Sequence, residues 1–236
     1  KKITLKVDEI YNLACPASPV AYQNDPIYTL ETNIYGTQNM LELAKKNNAK
    51  LLQASTSEVY GDPKINPQPE TYWGNVNTLG KRSCYDEGKR VAETMCYEYK
   101  KKYGLNIKIA RIFNTYGPNM AIDDGRVISN FIVQSLLNKA ITIYGKGKQT
   151  RSFCHVNDLL NGLTKLMNLE KKINTPINLG NNYEISVIEV AKLIKKLCSS
   201  KSKIIFKALP ENDPSVRNPE LKLAKKLLKW EPTTSL

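Results

Sequence analysis

Short apolar runs alternate along the chain with longer segments in which apolar residues recur every three or four positions. The short runs predict strands and the longer ones amphipathic helices. Residues 9–15 predict a strand that enters a Pro-rich loop. Residues 26–47 predict a helix with Leu30, Ile34, Thr37, Leu41 and Ala44 along one face. A strand at 50–56 follows, then a long loop rich in Pro, Asn and Gly. A helix over 83–103, stopped by Gly104, leads to a buried strand at 107–113. Beyond Gly117 the elements shorten. Helices are predicted at 127–137, 156–167, 186–197 and 221–228, and strands at 141–144 and 176–179. Strands alternating with helices point to an α/β fold on a doubly wound, largely parallel sheet.

Composition narrows the classes without choosing among them. Among 236 residues, 41% are hydrophobic and 24% charged, the ordinary balance of a soluble globular protein. No apolar run is long enough for a membrane helix, and the first residues do not begin a signal peptide. The expectation is a cytoplasmic protein, with a membrane anchor in a preceding segment left open. The net charge of +13 comes largely from lysine groups at 45–46, 100–102, 195–196 and 225–226. These fall on polar helix faces, and no nucleic-acid-binding module accompanies them. Five cysteines without a C-x-x-C pair give neither a disulfide framework nor a zinc site, so no metal is expected. A single histidine, His155, leaves no multi-histidine metal site and reads as a structural polar residue.

The chemistry concentrates in Tyr85-Asp86-Glu87-Gly88-Lys89. On a helix the i, i+4 spacing puts the phenol and the ammonium on one face. A tyrosine titrates near 10, and a neighbouring cation favours its phenolate, making it a general base. Thr56, in Ser55-Thr56-Ser57-Glu58-Val59-Tyr60-Gly61, ends the strand before the long loop. In parallel α/β sheets active sites form at such strand ends. A hydroxyl there can hold the oxygen that Tyr85 deprotonates.

These residues resemble the Ser/Thr-Tyr-Lys set of the extended short-chain dehydrogenases, and the flanking segments resemble the UDP-glucuronate decarboxylase family among them. The likeness runs through residues 13–19, 55–63, 70–77, 82–90, 111–118, 123–126 and 149–153. It continues in Asp213-Pro214 and Arg217-Asn218-Pro219, and covers about 7–232. It implies a Rossmann-like part at 1–118 and a smaller, mainly UDP-sugar-binding part at 119–236, with about 156–180 returning to the sheet. It also implies NAD as cofactor and a redox-neutral cycle. Tyr85 would take the C4 hydroxyl proton, Thr56 would bond that oxygen, and Lys89 would tune Tyr85 and hold the cofactor ribose. Oxidation at C4 makes a β-keto acid, which loses CO₂ and is then protonated and reduced. Glu58 and Arg217 correspond to the acid and arginine around the sugar carboxyl, the acid as a proton relay. Implied cofactor contacts are Leu13, Ala14, Cys15, Thr32, Ala54, Thr115 and Arg126, with Tyr85 and Lys89. Implied substrate contacts are Asn39, Lys45, Lys46, Asn114, Asn130, Tyr144, Gly145 and Arg151, with Arg217. Homodimers are usual in this family.

Two departures stand out. The twelve glycines nowhere form the G-x-G-x-x-G or G-x-x-G-x-x-G of a dinucleotide phosphate loop. The expectation is therefore a fragment lacking the first β-α units, inactive alone. Glu31 stands where the decarboxylases typically carry a lysine. The alternatives are a nucleotide-sugar 4,6-dehydratase or 4-epimerase, or a non-catalytic binding fragment. The dehydratases place an Asp where Ser57 stands, and epimerases usually lack the acid at Glu58.

Overall fold

The computed structural model describes residues 5–209 and 216–236. Its main sheet has four parallel strands in the order Glu9–Asn12, Lys50–Thr56, Ile107–Ile112 and Ile177–Leu179. The central Lys50–Thr56 strand is buried along almost its whole length, as expected for a strand covered on both faces. The Glu9–Asn12 strand alternates exposed and buried residues, and ends three residues earlier than predicted.

The predicted helix over 26–47 is present in three pieces. Pro26–Glu31 and Thr37–Asn47 are α-helical, and Thr32–Gly36 between them is a π turn. The π turn carries Asn33, which is buried and donates to the Thr29 carbonyl at 2.9 Å and to the Cys15 sulfur at 3.1 Å. Such turns reposition side chains at functional sites. The Ser83–Tyr103 helix packs alongside, and Gly88 permits the approach: a Cβ there would sit 2.9 Å from the Asn33 amide. The helix ends on Gly104 in the left-handed conformation, as its sequence predicts.

Helix Val156–Met167 packs on the sheet through Leu159, Leu163, Leu166 and Met167, against Leu52, Ala110 and Leu179. His155 caps it, its Nδ1 accepting from the Asn157 N–H at 3.3 Å. A second core gathers Phe131, Ile141, Ile143, Val190 and Ile194 between helices Val127–Leu136 and Val187–Leu197. Several short elements there were not predicted. They are the ladders Thr115–Tyr116 with Cys154–His155 and Thr150–Ser152 with Glu184–Ser186, and the strand Ile204–Lys207 that pairs with the predicted Ile141–Tyr144 strand. The Pro-rich loop also contains a short helix, Pro19–Asn24.

Among the described residues, no helix is long and apolar enough to cross a membrane, and no cluster of His, Cys, Asp or Glu could hold a metal ion.

Candidate active site

Three elements meet at the carboxyl ends of the strands. The Lys50–Thr56 strand delivers Thr56 and runs straight into the turn Ser57–Tyr60, which Thr56 caps by accepting from the Glu58 N–H at 3.2 Å. The first turns of the Ser83–Tyr103 helix deliver Tyr85 and Lys89, both buried. The Thr56 hydroxyl lies close enough to the Tyr85 phenol to favour its phenolate. Lys89 donates from Nζ to the Ala54 carbonyl at 3.0 Å and lies 5.9 Å from the Tyr85 ring centre. The threonine, phenol and ammonium predicted to act together are therefore brought together.

Burial sets their protonation. It pushes the Tyr85 phenol well above its ordinary value, against the opposing influence of Thr56. Burial also lowers Lys89, because an ammonium loses hydration there. The phenol is thus held neutral and needs added positive charge nearby before it becomes a base.

Beside this trio lies a buried cluster of acid and arginine. Glu58 Oε2 accepts from Arg82 at 2.5 Å and from Arg217 at 2.8 Å, and its Oε1 accepts from Arg217 Nε at 3.4 Å. Burial alone would raise the Glu58 carboxyl, but Arg217 and then Arg82 outweigh it and hold it well below the usual carboxylate range. Glu58 is therefore clamped as an anion with both oxygens engaged, which argues against the expected proton relay.

Arg217 reaches Glu58 because its segment is tied down from both sides. Gln68 and Asn218 exchange backbone and side-chain bonds of 2.8 and 2.9 Å, and the Ser152 hydroxyl donates to the Arg217 carbonyl at 3.1 Å. The Arg217 side chain is only 2% exposed and also donates to the Gly61 carbonyl. Asp213-Pro214, the preceding part of that motif, lies outside the described residues.

Two site residues carried no assigned role in the sequence reading. Tyr22, on the unpredicted Pro19–Asn24 helix, stacks on Tyr85 with ring centres 5.0 Å apart. The Arg82 guanidinium lies over the Tyr22 ring at 5.9 Å.

The remaining expected contacts divide. The Arg126 guanidinium is close enough to interact with Tyr85 and is held by Asp124 at 2.5 and 2.7 Å. Ala54 serves through its carbonyl, and Cys15 packs beside Tyr22, Cys84 and Tyr85. Leu13 is 53% exposed just beyond the tip of the edge strand, next to Ala14, which is also exposed. Thr32 bonds back to the Tyr28 carbonyl at 2.7 Å, and Thr115 to the Phe113 carbonyl at 2.9 Å. The Asn114 carbonyl accepts from the Cys154 N–H at 2.9 Å, and Arg151 is buried on the strand whose Ser152 holds Arg217. Asn130 lies on the Val127–Leu136 helix, while Tyr144 and Gly145 close the Ile141–Tyr144 strand.

Lys45 and Lys46 lie apart from these residues. Lys45 lies over the ring of Tyr103, the last residue of the helix whose first turn carries Tyr85. That is about 27 Å away along the helix axis. Both lysines end the Thr37–Asn47 helix, which leads into the amino end of the Lys50–Thr56 strand, and Asn39 is exposed on the same helix. Glu31 is exposed where Pro26–Glu31 meets the π turn.

The residues fit one end of a dinucleotide. Lys89 spends one donor on Ala54 and has others for a ribose, and the exposed side chains of Tyr11 and Leu13 offer a surface for a flat ring. A Tyr-Lys pair thus stands at parallel strand tips beside a cluster of acid and arginine. The chain belongs to the GDP-mannose 4,6 dehydratase family, whose model matches residues 3–236. Within it, the chain is 55% identical over 232 residues to UDP-glucuronic acid decarboxylase 1 of Xenopus tropicalis, covering 98% of this chain and 55% of that protein. It is 53% identical to UDP-glucuronic acid decarboxylase 5 of Arabidopsis thaliana, covering 99% of this chain and 68% of that one. It thus spans little more than half to two thirds of these relatives. Among solved structures, UDP-glucuronic acid 4-epimerase from Bacillus cereus, in complex with UDP-glucuronic acid and NAD, superposes with a TM-score of 0.87. The two are 28% identical, covering 97% of this chain and 71% of that one.

Proposed function

We propose that the protein decarboxylates UDP-glucuronate to UDP-xylose through a 4-keto sugar, with NAD bound throughout and recycled. The observation that carries this reading is the buried Glu58–Arg82–Arg217 cluster beside Thr56 and Tyr85. A C4 alcohol needs only the Thr56–Tyr85–Lys89 set, whereas the arginines suit a carboxylate next to it.

Bound NAD would supply the acceptor, and later the donor, of the hydrogen carried by C4. Thr56 holds the C4 oxygen while Tyr85 Oη takes its proton. Lys89 fixes the ribose and, with the cofactor's positive ring, favours the phenolate that burial otherwise disfavours. Arg82 and Arg217, anchored by Glu58, orient the sugar carboxylate and steady the charge that develops when CO₂ leaves. Tyr85 then returns its proton as C4 is reduced.

Residues 1–118 would hold the cofactor and 119–236 mainly the sugar nucleotide, with about 156–180 returning to the sheet. A homodimer in the cytoplasm is the expected working form. Mass spectrometry of the product from UDP-glucuronate and NAD tests the reading. Loss of CO₂ supports it; loss of water, or an unchanged mass with inversion at C4, replaces it with a dehydratase or an epimerase.

A further inference from the structure

The Glu58–Arg82–Arg217 cluster has a neighbouring carboxyl that its bonds leave aside. Asp86 sits in the first turn of the Ser83–Tyr103 helix, one residue after Tyr85, and is 6% exposed. Its backbone N–H donates to the Arg82 carbonyl at 3.0 Å. Its side-chain Oδ1 is buried and has no hydrogen-bond partner among the described residues. The hydroxyl of Tyr22, stacked on Tyr85, is likewise buried without a partner among them.

A bare buried carboxylate oxygen costs free energy unless the group is neutral or a ligand supplies a donor. Glu58 has no such freedom, since both of its oxygens are taken by arginines. The charged groups facing Asp86 are Glu58 from the Ser57–Tyr60 turn, Arg82 ahead of the helix, Arg217 from the C-terminal segment and Glu87 on its own helix. Tyr22, Cys84 and Tyr85 also lie within its field. Burial and then Glu58 push the Asp86 carboxyl up to about 7, against the pull of Arg82 and Arg217.

We propose that Asp86 is the proton source for C5: it enters the cycle as a neutral acid and gives its proton to the carbon that CO₂ leaves behind. This rests on the decarboxylase reading. The bond between C5 and the carboxylate breaks, and its electron pair becomes the C4–C5 double bond of an enolate. That pair then forms the new C5–H bond with the Asp86 proton while the C4 carbonyl re-forms. Asp86 is left as a carboxylate beside Arg82 and Arg217, and solvent reprotonates it for the next turnover.

The test uses the natural polypeptide with NAD and its near-isosteric Asp86→Asn variant. Infrared difference spectra between about pH 6 and about pH 8 read the carboxyl directly. A neutral-acid carbonyl band that titrates in the parent and is missing from the variant supports the proposal. Persistence of that band in the variant overturns it. In single turnovers with UDP-glucuronate, the variant should still release CO₂ but form UDP-xylose about 100-fold more slowly. In heavy water the parent should place one deuterium at C5 in a single configuration, and the variant a mixture. Parent-like rate and configuration in the variant would overturn the proposal. Should Asp86→Asn fail to fold, Asp86→Ser, which leaves room for a water, is read the same way. If the parent releases no CO₂, the decarboxylase reading fails, while the infrared band still decides whether Asp86 carries the proton.

Discussion

Two buried pairings of acid and arginine flank the Ser83–Tyr103 helix, and they differ in one respect. Arg111 gives two bonds to Glu93 at 2.9 and 2.7 Å, one to the Tyr60 hydroxyl at 3.0 Å and one to the Glu70 carbonyl at 3.1 Å. Glu93 also accepts from the Ser55 hydroxyl at 2.5 Å. The Glu58 group is buried to a similar degree: Arg82 and Glu58 are 14% and 15% exposed, against 13% and 14% for Arg111 and Glu93. Yet beside Glu58 the Asp86 oxygen and the Tyr22 hydroxyl stay bare among the described residues. A saturated network braces the fold. A network with bare polar atoms has a place for a ligand.

The sharpest way to break this comparison is to cut the brace. Arg111→Ala leaves Glu93 buried without its partner and should destabilise the protein by about 3–5 kcal/mol in urea unfolding. A cost near zero would remove the distinction. On the site side, Tyr85→Phe should lower turnover on the order of 10²–10⁴-fold. Its stability should change by only about 1 kcal/mol, the Thr56 contact being its main loss.

Acid–base linkage separates the two acids of the site. Asp86 titrates near 7 when folded but near 3.9 when unfolded, so the native state binds the extra proton between those values. Its contribution to stability therefore declines as pH rises from about 4 to about 7, and Asp86→Asn should flatten that slope. Glu58 runs the other way. Its folded value is lowered, so its contribution is present above about 4.3 and is lost as the pH falls through the lowered folded value. The smallest effect belongs to a residue assigned to the substrate by resemblance. Lys45→Ala should leave substrate affinity unchanged and move stability by less than about 0.5 kcal/mol.

Long periodic segments were legible before the structure. The helix over 83–103 and its Gly104 stop, the sheet strand 50–56, and the strand predicted at 107–113 and observed at Ile107–Ile112 came from patterning alone. The two- and three-residue ladders around Thr115, Thr150 and Glu184 were not, because such lengths carry no period. Ser18 followed by Pro19 did carry a helix-start signal, a capping hydroxyl before a first-turn proline, hidden among other prolines. Thr56, Tyr85 and Lys89 were legible from spacing and strand position. Glu58 and Arg217 were expected together only through the resemblance, and that Arg82 and Asp86 join them was not legible, since the convergence depends on the Gln68–Asn218 tie that folds a distant segment back. The resemblance placed Lys45 and Lys46 on the substrate, whereas their helix runs away from the strand tips.

The most direct measurement compares the affinities of UDP-glucuronate and UDP-glucose for the NAD-loaded natural polypeptide by calorimetry. A carboxylate held by Arg82 and Arg217 should make the acid bind at least about 10-fold more tightly than the neutral sugar, and Arg217→Lys should erase most of that margin. Equal affinities in the parent protein would mean that the cluster beside Tyr85 does not receive a carboxylate.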